Sequence, residues 1–380
     1  MTNEIKCKEV CYKSENQLIQ EDILKPNCVN VDKTYKPKKL LLQWHITDRC
    51  NLRCMHCYQN HDNVSKELDI ESLLSIFNQY IALLNKWEVW GHINLTGGEP
   101  FIREDILGLL EQFYNHSNVL SYGILSNGLL IDDATAKRLK KLGCKFIQVS
   151  LEGGKETNDK IRGQGNFEKV IKSLEVLSTN RIRTLISFSA SKLNYLEFPI
   201  VAKVGSKYGA QMVWADRIIP TGRGESIKDE MMYPSEVEQF FEIMYACRKK
   251  YKKYLFKSTD IPLHRALNFI TLKKHEPSGN AMTYRCNAGN GLITIMPDGS
   301  LVPCRRMPIV VGNVLEKSIE ELYYSSVLLN QLRDKSIVSE GCESCSEKEK
   351  CRGGLRCLAY AYYGTPFKAD PQCFLIKKDL

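Results

Sequence analysis

The chain has 380 residues, 43% of them hydrophobic and 26% charged, and a formal net charge of +9. That length suits two or three ordinary domains, or one large barrel with an extension, and a core that needs no disulfides to hold it. The sequence has no run of about 18 apolar residues and no apolar segment near its start. The expectation is a cytoplasmic protein with no membrane span and no secretory signal.

Fifteen cysteines in such a chain point to metal or redox duty rather than to disulfides. The basic balance reads first as a solvated Lys-rich surface. It also suits a face that docks an acidic electron donor or an acidic peptide. No basic run is interleaved with stacking aromatics, so a nucleic-acid partner is not expected.

Residues 1–39 are polar, Lys-rich and weakly periodic, and read as an irregular lead-in. From residue 40 a rhythm begins. Apolar runs at 40–47, 92–96, 121–126, 146–151, 184–189 and 210–215 read as short buried strands. Helical spacing follows at 68–84, 104–115, 133–142, 166–178, 195–208 and 235–252. Six βα units of this kind predict an α/β fold, a partial (β/α)6 TIM-like barrel with its parallel strands covered on both faces. Chemistry in such folds sits at the C-terminal ends of the strands. Five candidate loops lie there: the Cys50–Cys57 loop, Gly97–Pro100, Ser126–Gly128, Ser150–Gly154 and Pro220–Gly224.

After about residue 255 the rhythm breaks and cysteines become dense. The expected divisions are a lead-in at 1–39, the barrel at 40–255, a linker at 256–285 and a Cys-rich extension at 286–380. The extension should hold a β-hairpin around Pro297-Asp298-Gly299, one helix near 318–333, and loops.

Cys50, Cys54 and Cys57 offer three thiolates on one loop, and an iron–sulfur cube has four irons. One iron would stay open for a ligand that is not protein. A zinc site would require a fourth donor, for which His56 and His61 are the local choices. The segment CysAsnLeuArgCysMetHisCys, followed by GlyGlyGluPro at 97–100, resembles the radical S-adenosylmethionine (radical SAM) enzymes. The resemblance covers residues 40 to about 255. It implies a [4Fe–4S] cluster on Cys50, Cys54 and Cys57 whose open iron chelates SAM, and reductive cleavage of SAM to a 5′-deoxyadenosyl radical. By matching position it implies that His56 lies by the adenine and that Gly97, Gly98 and Glu99 contact the methionine amino group. Ser150 would lie beside the ribose, Arg162 would pair with the SAM carboxylate, and the Ile219 backbone would lie near adenine. Ser126 joins this cofactor-binding set on the loop after the third strand.

The later cysteines resemble the SPASM extension of the same enzymes, over about 286–373. This implies one or two auxiliary [4Fe–4S] clusters. Cys342, Cys345, Cys351 and Cys373 would bind the distal one, and Cys286, Cys304 and Cys357 the nearer one. The chain departs from the family spacing at Cys357: Leu355 stands where a Cys is expected. On that reading the nearer cluster keeps an open iron. The zinc alternative is a four-thiolate knuckle with spare cysteines. Cys7, Cys11 and Cys28 read as non-ligands, though one could complete the nearer cluster. Cys144 and Cys247 read as core residues.

The resemblance implies a precursor-peptide substrate and a flavodoxin or ferredoxin-type electron donor. The expected product is a cross-link, thioether or epimerised centre in a ribosomally made peptide. The alternatives are a small molecule or tetrapyrrole precursor, or a sulfatase-type protein. The sequence picks out no side chain as the final proton or hydrogen donor.

Overall fold

The computed structural model describes residues 34–60, 67–252, 258–277 and 286–376. Cys7, Cys11, Cys28 and His61 lie outside the described residues.

The βα rhythm is realised as β1 (Lys39–His45), α1 (Ile70–Trp87), β2 (Trp90–Thr96), α2 (Ile106–Asn115), β3 (Leu120–Ser126), α3 (Asp133–Lys141) and β4 (Ile147–Ser150). Then come α4 (Lys155–Arg162), α5 (Asn166–Thr179), β5 (Thr184–Ala190), α6 (Phe198–Lys207), β6 (Met212–Arg217) and α7 (Pro234–Tyr251). Strands β1 to β6 pair in parallel in sequence order. Helix starts follow local chemistry. Asp69 accepts from Ser72 N at 2.8 Å ahead of α1, and Asp132 from Thr135 N at 2.8 Å ahead of α3.

The strands are not apolar on both faces. One face carries Leu40, Leu42, Trp44, Ile93, Leu95, Ile124, Ile147, Val149, Ile186 and Val213, all completely buried in the core shared with the helices. Trp44 and Phe77 both pack on Phe113, with ring centroids 6.2 and 5.0 Å away. Each such side chain contributes about 1.5–3 kcal/mol by leaving water. The opposite face carries Gln43, Asn94, Gln148, Ser187 and Trp214, and it lines an interior chamber. A period of two in the strands records this, since successive residues point to opposite faces.

Three elements differ from the sequence expectation. Helix α4 was not expected, because LysGluThrAsnAspLysIleArg has a single apolar residue. Its buried face is polar, made of Asn158, Asp159 and Arg162 beside Ile161. The single helix near 318–333 is two, α9 (Ile319–Ser325) and α10 (Val327–Arg333), separated after α8 (Asn268–His275), β7 (Leu292–Ile295), β8 (Ser300–Val302) and β9 (Gly312–Asn313). Ser326 breaks it by taking an extended conformation and capping the second helix, Leu329 N to Ser326 Oγ at 3.2 Å. The segment between barrel and extension is built into the fold. Val213 N donates to Asp260 O and Asp260 N to Gln211 O, both at 2.9 Å, along the outer edge of β6.

The hairpin around Pro297-Asp298-Gly299 is present as β7 and β8, with Ile295 opposite Leu301. Less foreseeably, β7 pairs in parallel with β1, so the barrel sheet runs directly into the extension as β6-β5-β4-β3-β2-β1-β7-β8-β9. The remaining helices are α11 (Lys348–Cys351) and α12 (Arg356–Tyr363). No helix among the described residues is long and apolar enough to cross a membrane.

Candidate active site

The Cys50–Cys57 loop leaves the C-terminal end of β1 and is tied down at both ends. Met55 N donates to Ile161 O at 2.9 Å, and Gly224 N to Cys57 O at 2.8 Å. Leu52 N points at Cys50 Sγ at 3.4 Å. The turn after β2 closes on the same loop: Gly98 N donates to Thr47 O and Glu99 N to Arg49 O, both at 2.8 Å. The close approach that demands glycine here is to this backbone. A Cβ on Gly97 would sit 2.5 Å from Thr47 O, and one on Gly98 only 2.2 Å from Arg49 O. Gly98→Ala is therefore expected to cost about 1–3 kcal/mol by overpacking, read as a lower denaturation midpoint. A midpoint unchanged from wild type would contradict this packing.

Glu99 is fully buried and ties the turn to the end of β3. Its carboxylate accepts from Ser126 Oγ at 2.9 Å, Asn127 N at 2.7 Å and Phe101 N at 3.3 Å. Burial pushes it up to about 7 in spite of those donors. Asn127 in turn gives Nδ2 to Asn51 Oδ1 at 2.7 Å, beside Cys50 Sγ at 3.9 Å. The turn, the β3 end and the thiol loop thus form one hydrogen-bonded unit.

On the opposite wall, buried Glu152 gathers three groups. Its Oε1 lies 3.3 Å from His56 Nε2 and 3.1 Å from Arg162 Nη1, and its Oε2 accepts from Ser189 N at 2.7 Å. Burial raises this carboxyl, but His56, Arg162 and the Ser189 N–H outweigh it and hold it below its usual range. Burial also works against the Arg162 charge, and Cys54 and Glu152 overcome it. Glu152 is neither a helix cap nor an exposed group. It fixes His56 of the thiol loop and Arg162, the last residue of α4.

One cavity collects Cys50, Cys54, Cys57, His56, Gly97, Gly98, Ser126, Ser150 and Arg162 on its wall. Two of the expected cofactor residues keep their side chains off this wall. Glu99 lies behind the wall and acts on it through Ser126 and Asn127. The Ile219 side chain packs in a second apolar cluster with Ile218, Met307 and Leu358, away from the cavity wall. The wall also holds residues that the motifs did not single out: Gln59, Gln148, Ser187, Ser189, Trp214 and Arg305. Gln148, Ser187, Ser189 and Trp214 come from the strands, whereas Arg305 arrives from the extension.

The other cysteines fall into two groups. Cys286 and Cys304 each lie close enough to Cys357 to disfavour its ionisation, and burial, the largest effect, pushes that thiol up to about 12. Cys342, Cys345, Cys351 and Cys373 are mutually close in the same sense, with Cys351 pushed up to about 12 and Cys342 to about 11, again chiefly by burial. In the first cavity burial pushes Cys57 up to about 11. Thiols held this high ionise at neutral pH only beside a strong cation, and thiolates suit iron–sulfur cores. Among the described residues no three His, Cys, Asp or Glu side chains surround a single-ion position. A cube places each thiolate on its own iron, which needs a wider spacing than one ion does. Unpartnered buried atoms at His56 Nδ1 and Arg162 Nε leave polar capacity for a ligand beside the three thiols. The donor set therefore fits the cluster and a polar cofactor. Cys144 and Cys247 stay apart from these groups, both packed at the core.

A second cavity continues inward from the first, sharing Leu125, Gln148, Trp214 and Arg305 with it, and ends at Cys286, Cys304 and Cys357. Trp214 Nε1 donates to Gln148 Oε1 at 2.9 Å across the shared wall. The barrel interior is thus one chamber between two thiol groups.

The site is therefore a set of thiols on the loop after β1, a glycine turn after β2 and a chamber inside a parallel partial barrel. Residues 44–191 match the family model of the radical SAM superfamily, and residues 286–351 that of the SPASM iron–sulfur cluster-binding domain. The chain thus carries a radical SAM domain and a SPASM domain. Its cofactors are accordingly SAM, a [4Fe–4S] cluster and auxiliary iron–sulfur clusters. It is similar to the Fe-coproporphyrin III synthase of Methanosarcina barkeri, 27% identical over 91% of this chain and 90% of that protein. It is also 27% identical to the mycofactocin maturase MftC of Mycolicibacterium smegmatis, over 88% of this chain and 82% of that one. Among solved structures, Streptococcus suis SuiB bound to precursor peptide SuiA matches with a TM-score of 0.69 at 18% identity, covering 93% of this chain and 77% of that chain.

Proposed function

We propose that Cys50, Cys54 and Cys57 hold the cluster that cleaves SAM, and that the enzyme removes hydrogen from a residue of a ribosomally made peptide to install a cross-link, thioether or epimerised centre. The observation that carries the reading is the chamber running from those three thiols to Cys286, Cys304 and Cys357. A side chain entering it lies between two cluster sites and out of bulk water. Bound there, the reduced cluster and SAM supply the power to abstract a hydrogen atom from an unactivated carbon. The chain's own residues orient. Arg162, with its Nε unpartnered, pairs with the SAM carboxylate. His56, Ser126 and Ser150 flank the rest of the cofactor, with Gly97 and Gly98 against its methionine end. Glu99 acts as a positioning residue, and Ile219 through its backbone at most. Cys286, Cys304 and Cys357 hold the nearer auxiliary cluster, and Cys342, Cys345, Cys351 and Cys373 the distal one.

The relatives support a peptide substrate, since one is named a maturase and a solved structure holds a precursor peptide. A flavodoxin or ferredoxin-type protein is the proposed electron donor, and the cytoplasm the proposed compartment. A second reading, a tetrapyrrole precursor as substrate, is favoured by the alignment with Fe-coproporphyrin III synthase over nearly the full length of both chains. The experiment is coexpression with the short peptides encoded beside the gene, followed by mass spectrometry. Loss of about two hydrogens identifies a cross-link, and deuterium uptake without mass change in ordinary water identifies epimerisation. Unmodified peptides together with turnover of a tetrapyrrole would overturn the first reading in favour of the second.

The departure from family spacing at Cys357 gives a further expected result. Cys357→Ala should lower iron from about twelve to about eight per chain or leave an unstable nearer cluster, because this thiol lies with Cys286 and Cys304. Iron counting after anaerobic reconstitution checks it, and an undiminished count with an unchanged cluster spectrum would remove Cys357 from the ligand set.

A further inference from the structure

The inner chamber carries more positive charge than its surroundings neutralise. Arg265, Arg305, Arg306 and Arg356 line it, and among the described residues no aspartate or glutamate does. Asp216, behind the wall, takes up Arg306 at 2.6 Å and lies 3.7 Å from Arg265. Neither Arg305 nor Arg356 forms an ion pair with a carboxylate of the described residues. Arg356 is only 2% exposed, gives Nη1 to Leu332 O at 3.1 Å, and has a buried Nε with no partner. Arg305 stands where the two cavities meet and belongs to both walls. Its guanidinium lies over the Tyr58 ring at 5.6 Å, and its Nε is also buried without a partner.

The nearer cluster does not remove this excess. A dicationic cube on three thiolates carries about one negative charge. With Asp216 it offsets about two of the four guanidiniums, leaving about two. Cations taken out of water without a counter-charge are costly, and removing one partner of a buried pair is strongly destabilising for that reason. The arrangement is stable in the working enzyme if the anion arrives with the substrate. Guanidinium matches the planar carboxylate in two parallel hydrogen bonds, and Gln43, Asn94 and Gln148 supply neutral amide groups around it.

We propose that Arg305 and Arg356 receive a carboxylate of the substrate, so that the chamber selects an acidic residue of a peptide or a carboxylate-bearing small molecule. This rests on the reading of the chamber as the substrate site. A carboxylate on Arg305 would lie where the two cavities meet, and one on Arg356 would lie deeper, beside Cys286.

The test is equilibrium binding to the reconstituted holoenzyme with SAM present, in two arms. One compares a fluorescein-labelled heptapeptide with central glutamate against the same peptide with glutamine. The other compares coproporphyrin III with its tetra-amide. The expected result is at least tenfold tighter binding of the acid than of the amide in one arm, which also names the source of the carboxylate. Arg305→Gln and Arg356→Gln should each cut that preference at least fivefold, and Arg305→Lys should keep part of it. Iron content reports that the variants are folded. Should a variant lose its iron, the acid-against-amide comparison on wild-type protein still decides. Equal binding of acid and amide in both arms, or a preference that survives both glutamine variants, overturns the proposal. A fall in SAM affinity that matches the lost preference also overturns it, since Arg305 would then serve the cofactor. Wild-type protein that fails to cleave SAM at all would bring down the reading of the site itself, whereas cleavage without acid preference brings down only this proposal.

Discussion

Cys54→Ala is expected to abolish formation of 5′-deoxyadenosine from SAM in the dithionite-reduced protein and to lower iron from about twelve to about eight per chain. Three thiolates are the fewest that leave one iron of a cube open while holding the other three. Removing one leaves a cluster with two protein thiolates. Cys54 sits at the closed turn with Cys57 N 3.3 Å from its carbonyl, and Arg162 responds to its charge. Alanine preserves that turn, so the variant should fold, and its thermal midpoint should stay near that of the wild type. The measurement is anaerobic turnover followed by chromatography, with iron and sulfide counted on the same sample. Product formation within tenfold of wild type would remove these three cysteines from the SAM-cleaving site. Zinc in place of iron and sulfide would remove the cluster reading altogether.

Asp370→Ala is expected to be the most destabilising single change outside the apolar core, at about 3–5 kcal/mol. Asp370 pairs with Arg217 through two contacts, at 2.9 and 2.6 Å, and both side chains are at most 2% exposed. Alanine leaves the Arg217 charge buried at the end of β6 with Gln372 Oε1, 3.2 Å away, as a neutral partner. The same carboxylate also accepts from Leu355 N and Gln372 N, both at 3.0 Å. It therefore organises the stretch between Cys351 and Cys373, and the variant should also lose iron at the distal group. Chemical denaturation measures the first effect and iron counting the second. The double variant Arg217→Met with Asp370→Leu should recover much of the stability, because replacing a buried pair by apolar groups is far less costly than orphaning one charge. A single variant within 1 kcal/mol of wild type would mean that water reaches Arg217.

Much of the barrel was legible because its signals are local. Apolar strands and amphipathic helices depend on neighbours a few positions away. Helix α4 escaped because its buried face is polar, and no periodicity of apolar residues can report Asn158, Asp159 and Arg162 facing inward. On the strands, Gln43, Asn94 and Gln148 interrupt the apolar runs and turn to the inner face of the sheet, which lines the chamber. That a Cβ on Gly97 or Gly98 would meet the carbonyl of Thr47 or Arg49 is a constraint only the fold shows.

The sequence by itself determined the chemistry of the donors. Three thiols spaced along one short loop must stay within reach of one another whatever the rest of the chain does, since the covalent spacing limits how far apart they can lie. It also determined the parallel barrel, since alternating strands and helices leave few other ways to cover a sheet. What only the tertiary structure decided is which distant groups meet. Glu152 joins His56 to Arg162, β7 docks on β1, Cys357 comes beside Cys286 and Cys304, and Arg305 enters the barrel mouth from the extension. These meetings span tens to hundreds of residues, and they follow from the packing of whole surfaces rather than from the spacing of any motif.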